Sequence, residues 1–215
     1  MRIIFCLPGN RFSIGYFNCW NDTMAYLSSK NIESRYSMAY SPIVASSRNA
    51  VLLGSNRKDF TKKPFDSKVD YDYMFWIDSD IIWNPRQVIQ LIEHNKDVVS
   101  GCYISTNTTH YPICKKMNDE ELIEKGNYSL ISRDDLKQEK ELFKVDFAGF
   151  GFIAIKKGVF ESIEYPWFEI PTRTIGHITD LTGEDVDWCM KARGKGYDIY
   201  VDPNCIVGHE KTIVI

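Results

Sequence analysis

The apolar positions of this chain fall into short continuous runs separated by stretches in which they recur every three or four residues, and each change of period marks a new element. Residues 2–7 form a β-branched and aromatic run that stops at Pro8-Gly9-Asn10, which predicts a first strand and then a loop. Phe17, Trp20, Met24 and Leu27 follow at helical spacing. Residues 32–40 read as a second strand broken by Ser41-Pro42. Residues 43–53 read as a second helix, with Val44, Val51 and Leu52 beside Arg48 and Asn49. The charged stretch 56–72, with Arg57, Lys58, Lys62 and Lys63, predicts an exposed connection. Then Tyr73-Met74-Phe75-Trp76-Ile77 runs straight into Asp78-Ser79-Asp80. An apolar run of this length and aromatic content predicts a strand buried on both faces, and so a central one. Ile81-Ile82-Trp83 continues it, Pro85 opens a helix with a stripe of Val88, Leu91 and Ile92, and residues 97–104 supply the next strand.

Strand, helix, strand, helix, strand, helix, strand argues for an α/β fold with a mostly parallel sheet and helices on both faces. The glycine fingerprints of dinucleotide and P-loop proteins do not follow the first strand. The second half is less regular. Residues 111–117 read as a strand, and 118–140 as a helix with a mobile, charged excursion. Strand character returns over 143–155, where Gly149 and Gly151 either admit a ligand or another backbone or mark a bulge. Pro166-Trp167-Phe168-Glu169 places two aromatics in a loop, either to stack on a sugar ring or to pack beneath it. Thr182-Gly183-Glu184-Asp185 has the spacing of a capping box and opens a helix through Val186, Cys189 and Met190, ended by Gly194 and Gly196. A last strand over 198–201 leads through Asp202-Pro203-Asn204 to Cys205-Ile206-Val207-Gly208-His209.

A chain of 215 residues fits one domain, here 1–215, and can bury about 70% of its unfolded surface. With 26 basic against 29 acidic residues it carries no global field that would draw it to nucleic acid or an anionic membrane. The first apolar run is too short for a signal peptide or a membrane span, so a cytoplasmic location is expected. Six scattered cysteines without a C-x-x-C pair predict reduced, buried thiols rather than a zinc site or a disulfide framework.

Candidate chemistry concentrates at Asp78 and Asp80. In an extended chain residues i and i+2 point to one side, so the two carboxylates can project together at the sheet's carboxyl edge, where open α/β sheets bind ligands. Paired carboxylates repel unless a cation joins them, and hard oxygen donors suit Mg²⁺ or Mn²⁺. A surface turn is the plain alternative. Arg48 is either a solvated helix residue or a phosphate or nucleobase contact. Glu184 and Asp185 stand in a first helical turn, where acidic residues are favourable for the dipole alone. His209 follows an apolar run, as Asp78 does.

In their order these residues resemble a GT-A-type glycosyltransferase, closest to those of large algal, chlorella-type viruses. The resemblance implies a Rossmann-like central sheet with a smaller antiparallel acceptor-side portion, the donor half falling near 1–104 and the acceptor half near 105–215. It makes Pro8-Gly9-Asn10 the nucleotide-base loop and Asp78-Ser79-Asp80 the metal-binding D-x-D motif, with His209 a further metal ligand. Glu184 and Asp185 become the acidic motif, with Asp185 the base of an inverting transfer. Arg48, Asp78 and Ser79 then join Pro8, Gly9 and Asn10 around the nucleotide, while Asp78, Asp80 and His209 surround Mn²⁺ or Mg²⁺. The expected partners are a UDP-sugar donor and a glycan or glycoprotein acceptor, with no nucleic acid and no membrane, and the expected setting is host cytoplasm. A sugar-nucleotide nucleotidyltransferase is one rival, although the loop Leu7-Pro8-Gly9-Asn10-Arg11-Phe12 lacks the lysine it would want. A non-catalytic sugar-binding module is the other.

Overall fold

The computed structural model describes residues 1–53, 62–105 and 108–211; Arg57 and Lys58 of the expected connection lie outside these. The first half follows the alternation read from the sequence. Strand β1 (Arg2–Pro8), helix α1 (Ile14–Ser29), β2 (Glu33–Ala39), α2 (Val44–Leu53), β3 (Tyr73–Ile77), the short β4 (Ile81–Ile82), α3 (Pro85–Glu93) and β5 (Val98–Cys102) succeed one another. The second half holds β6 (Ile113–Cys114), α4 (Asp119–Lys125), α5 (Arg133–Gln138), β7 (Phe143–Val145), β8 (Phe147–Ala148), β9 (Phe152–Lys156) and α6 (Val159–Ser162). It ends with the hairpin β10 (Thr172–Ile175) and β11 (Ile178–Leu181), then α7 (Glu184–Gly194), β12 (Ile199–Ile206) and β13 (Gly208–His209).

Seven strands form the main sheet in the order β2-β1-β3-β9-β5-β12-β7. β1, β2, β3, β5 and β12 share one direction, while β9 and β7 run against them. The expected mostly parallel sheet with smaller antiparallel parts is therefore present. Every residue of β3 and β5 is buried, as strands covered on both faces must be. Alternation along β1 sends Ile3, Phe5 and Leu7 into a core closed by α1 and α3, and Ile4 and Cys6 into one closed by α2 and α7.

Local signals explain most helix starts. Ser13 caps α1 by accepting from Tyr16 N at 2.9 Å, and Asn84 with Gln87 forms a capping box ahead of Pro85. The expected box at Thr182 is absent: Gly183 is the N-cap of α7 without a side-chain bond, and Thr182 N is tied to Pro171 O at 2.9 Å. In α1 the inward face is Tyr16, Thr23 and Leu27, whereas Phe17 of the expected stripe is 59% exposed. Lys62 and Lys63 are exposed as expected, but Pro64 and Phe65 beside them are buried. The stretch 118–140 is anchored rather than wholly a surface excursion, because Ile131 and Leu136 enter the core. Trp167 and Phe168 are fully buried, so they pack beneath their loop and do not offer a stacking face. β12 runs on through Pro203 because its register with β5 slips between Val201 and Ile206, where no ladder N–H is required. All six cysteines are free thiols, and five are buried. Among the described residues no helix is long and apolar enough to cross a membrane.

Candidate functional site

The site gathers where β3 and β5 leave the sheet. Beyond Ile77 the chain turns, Ile81 N donating to Asp78 O at 3.2 Å, and Asp78 and Asp80 take different partners while both line one cleft. Asp78 turns toward α2. Arg48 Nη2 donates to its Oδ2 at 3.1 Å, and Nη1 stands 3.0 Å from Oδ1 but out of hydrogen-bonding line. Asp80 is held from the last strand and the residues after it. The ribbon of β13 on β4 pairs His209 with Ile81, and Glu210 N donates to Asp80 O at 2.7 Å. This brings His209 Nε2 within 3.0 Å of Asp80 Oδ2, across 129 positions of sequence.

The histidine's other nitrogen settles its chemistry. Nδ1 lies 2.6 Å from Ile104 O, and a carbonyl only accepts, so Nδ1 carries a proton. Nε2 is then the lone pair of the neutral ring, facing a carboxylate oxygen. Such a meeting needs a proton or a cation between the two. In the protein alone a proton on Nε2 makes this hydrogen bond to Asp80, and Lys211 Nζ adds charge at 2.6 Å from the same Oδ2. The hydrogen bond to Asp80 raises the His209 pKa against partial burial. Burial would raise Asp80, but the bonds from His209 and Lys211 outweigh it and bring it down to about 2. Two ligands each about 2.1 Å from one divalent ion and at right angles lie about 3 Å apart. Asp80 and His209 fit that spacing, and the Ile104 carbonyl orients the imidazole as carbonyls do behind metal ligands. Among the described residues no group of three or more His, Cys, Asp or Glu side chains is arranged for a metal, so further positions would fall to water or ligand oxygens.

Around this pair lies an open cleft. Pro8, Gly9, Tyr40 and Val44 line it together with Asp78 and Ser79. Gly9 sits at φ +149°, and a Cβ there would stand 2.7 Å from Ser79 Cβ, so only glycine lets this loop close on the D-x-D turn. Asn10, next in the chain, is exposed. On the other side of Asp80 a second hollow is lined by Arg11, Phe12, Glu210 and Lys211.

Glu184 and Asp185 open α7 beside Arg48. Arg48 Nε donates to Glu184 Oε1 at 3.2 Å, so one guanidinium holds Asp78 and Glu184 together. Arg48 is 3% exposed, neither solvated nor open to the cleft. Burial opposes its charge, yet Asp78 and Glu184 outweigh this and raise its pKa. Asp185 is different: burial, reinforced by Glu184, pushes its carboxyl up to about 6 against the pull of Arg48. Its Oδ1 accepts from Val186 N at 2.8 Å. Gly149 and Gly151 admit neither ligand nor backbone; a Cβ at Gly151 would meet the Tyr103 ring at 2.6 Å, and the Tyr103 hydroxyl accepts from Gly151 N at 3.1 Å.

The structure thus groups the expected residues into two sets, Asp80 with His209 and Arg48 with Asp78, Glu184 and, alongside, Asp185. Sequence reasoning missed Lys211 and Tyr103. Lys211 lies two residues beyond His209 and shares its side of an extended chain, a signal that was available; Tyr103 lay hidden inside the apolar run of 97–104.

No family model matches the chain, and no curated protein matches it. Among solved structures it is similar over 100% of its length to A197 from STIV, covering 97% of that chain at 19% identity and a TM-score of 0.55. That likeness shows a shared fold. Weaker similarity, at a TM-score of 0.48 and 12% identity over 99% of this chain and 73% of the other, reaches glucosyl-3-phosphoglycerate synthase from Mycobacterium tuberculosis, solved with Mn²⁺, UDP-glucose and phosphoglyceric acid. The inositol-1-phosphate CTP transferase from T. maritima follows at 0.46 and 12%, over 98% of this chain and 89% of that one. These two scores are too low to carry weight.

Proposed function

We propose that the chain is a divalent-metal-dependent glycosyltransferase of the GT-A type. It moves a sugar from a nucleotide donor, UDP-linked, to a hydroxyl of a glycan or glycoprotein with inversion of the anomeric carbon. The observation that carries this reading is the 3.0 Å approach of His209 Nε2 to Asp80 Oδ2 at the carboxyl edge of the sheet, beside the Gly9–Ser79 contact. Asp80 and His209 would hold Mn²⁺ or Mg²⁺, which when bound compensates the charge of the departing nucleoside diphosphate.

The remaining roles belong to the chain itself. The Pro8-Gly9-Asn10 loop and Ser79 take the nucleoside, and Asp78, its outer edge in the cleft, reaches the ribose. Asp185 receives the proton of the attacking hydroxyl. A carboxyl with a pKa of about 6 is ionised at neutral pH yet more basic than an ordinary aspartate, which suits a general base. Glu184 acts on Asp185 through its charge. The first half of the chain serves the donor and the second half the acceptor. The test is turnover of a panel of nucleotide sugars with the product anomer read by NMR. Inverted product is expected; retained configuration would remove Asp185 as the base, and absence of turnover with every donor, despite binding, would leave a non-catalytic sugar-nucleotide module.

A further inference from the structure

The cluster at the start of α7 holds three carboxylates, Asp78, Glu184 and Asp185, around one cation. That cation sits in an aromatic box: the Arg48 guanidinium carbon lies 5.9 Å from the Trp76 ring, 5.3 Å from Phe150 and 5.9 Å from Phe168. The rings exclude water, so charges here are felt more strongly than at the surface. A planar fork can serve two acceptors at once, and Arg48 does so with Nε on Glu184 and Nη2 on Asp78. Among the described residues Arg48 makes no hydrogen bond to Asp185, whose Oδ1 accepts from Val186 N at 2.8 Å.

We infer that Arg48 is a positioning residue for the base: one buried guanidinium clamps Asp78 and Glu184, compensates their charges, and leaves Asp185 as the carboxylate of the cluster free to receive a proton. The inference rests on Asp185 being the base. Arg48 then links the donor-side turn after β3 to the acceptor-side helix without touching either substrate. The groups facing Asp185 are Glu184 from its own helix, Arg48 from α2, Asp78 after β3 and Tyr103 after β5, with the buried Cys189 thiol behind it.

The test follows the Asp185 carboxyl carbon by NMR through a pH titration of the donor-free protein, with the acid limb of kcat/KM measured in parallel. Arg48→Lys keeps a charge but loses the fork, releasing Glu184. The titration and the limb should both move about one pH unit alkaline, with UDP affinity retained. Should that variant not fold, Glu184→Gln is compared with the double variant Arg48→Met and Glu184→Gln, which differ in the cation alone. A titration about one unit higher in the double variant supports the clamp, and coincident titrations overturn it. A lowered melting temperature with an unmoved titration would make Arg48 merely structural; lost UDP affinity with an unmoved titration would make it a donor contact. Either result overturns the inference. If no nucleotide sugar is turned over, the glycosyltransferase reading fails, while the titration still decides the clamp.

Discussion

Replacing Asp185 with asparagine should cost activity and add stability at the same time. The isosteric amide can still accept from Val186 N, so the change chiefly removes an ionisable group. In the folded protein burial and the Glu184 charge raise that group from 3.8 to about 6. An acid whose pKa is higher folded than unfolded binds more protons in the folded state, so ionising it costs stability; the cost begins near the unfolded value, grows across the window to about 6 and is constant above it. At about 1.4 kcal/mol per pH unit, this comes to about 3 kcal/mol at pH 8. For a chain of this size that corresponds to a melting temperature roughly 5–10 °C higher for Asp185→Asn at pH 8, with the difference closing toward pH 4. Turnover should fall by roughly 10² or more while UDP binds as before. Melts of both proteins from pH 4 to 8, with initial rates at pH 8, measure this. If Asp185 merely favoured the helix terminus, the variant would instead lose about 0.5–2 kcal/mol at pH 8 and keep its chemistry. That result would refute the electrostatic reasoning.

Two further predictions concern the frame around the site. Thr23 Oγ1 accepts from Trp83 Nε1 at 2.9 Å with both residues buried, so Thr23→Val leaves a buried indole N–H without its partner and should lower unfolding free energy by about 1–3 kcal/mol in urea titrations. Gly151→Ala drives a methyl into the Tyr103 ring, 2.6 Å from its nearest atom, and should cost about 1–3 kcal/mol and change near-UV circular dichroism; an unchanged spectrum and stability would mean that the ring moves freely.

The parts of this architecture encoded locally could be read from the chain. The buried run of Tyr73–Ile77, the helix opened by Asn84-Pro85 and the arrest of β1 at Gly9 each follow from a few adjacent residues. What long-range pairing decides could not. Insertion of β9 between β3 and β5 follows from contacts across the sheet, and nothing in residues 152–156 announces it. Arg48 reads as a solvated residue or ligand contact until Asp78 and Glu184, 30 and 136 positions away, bury it in an ion pair. The expectation that Asp78 and Asp80 share one side assumed that the strand continues, whereas the chain turns at Ile81 N and the two carboxylates, though both line one cleft, take different partners. The pairing of Asp80 with His209 also depends on register, set by two residues of β13 against β4.

The central claim, that Asp80 and His209 receive a divalent ion for a nucleotide donor, is tested most directly by calorimetric titration of UDP into the protein with Mn²⁺, with chelator, and with Mn²⁺ into Asp80→Asn. Loss of one charged ligand should weaken binding by about 1–3 kcal/mol, or roughly 5- to 150-fold. The chelated protein and the Asp80→Asn variant should therefore bind UDP alike and at least several-fold more weakly than the Mn²⁺-loaded protein, with the variant still folded. Equal UDP affinity with and without Mn²⁺ would contradict the account.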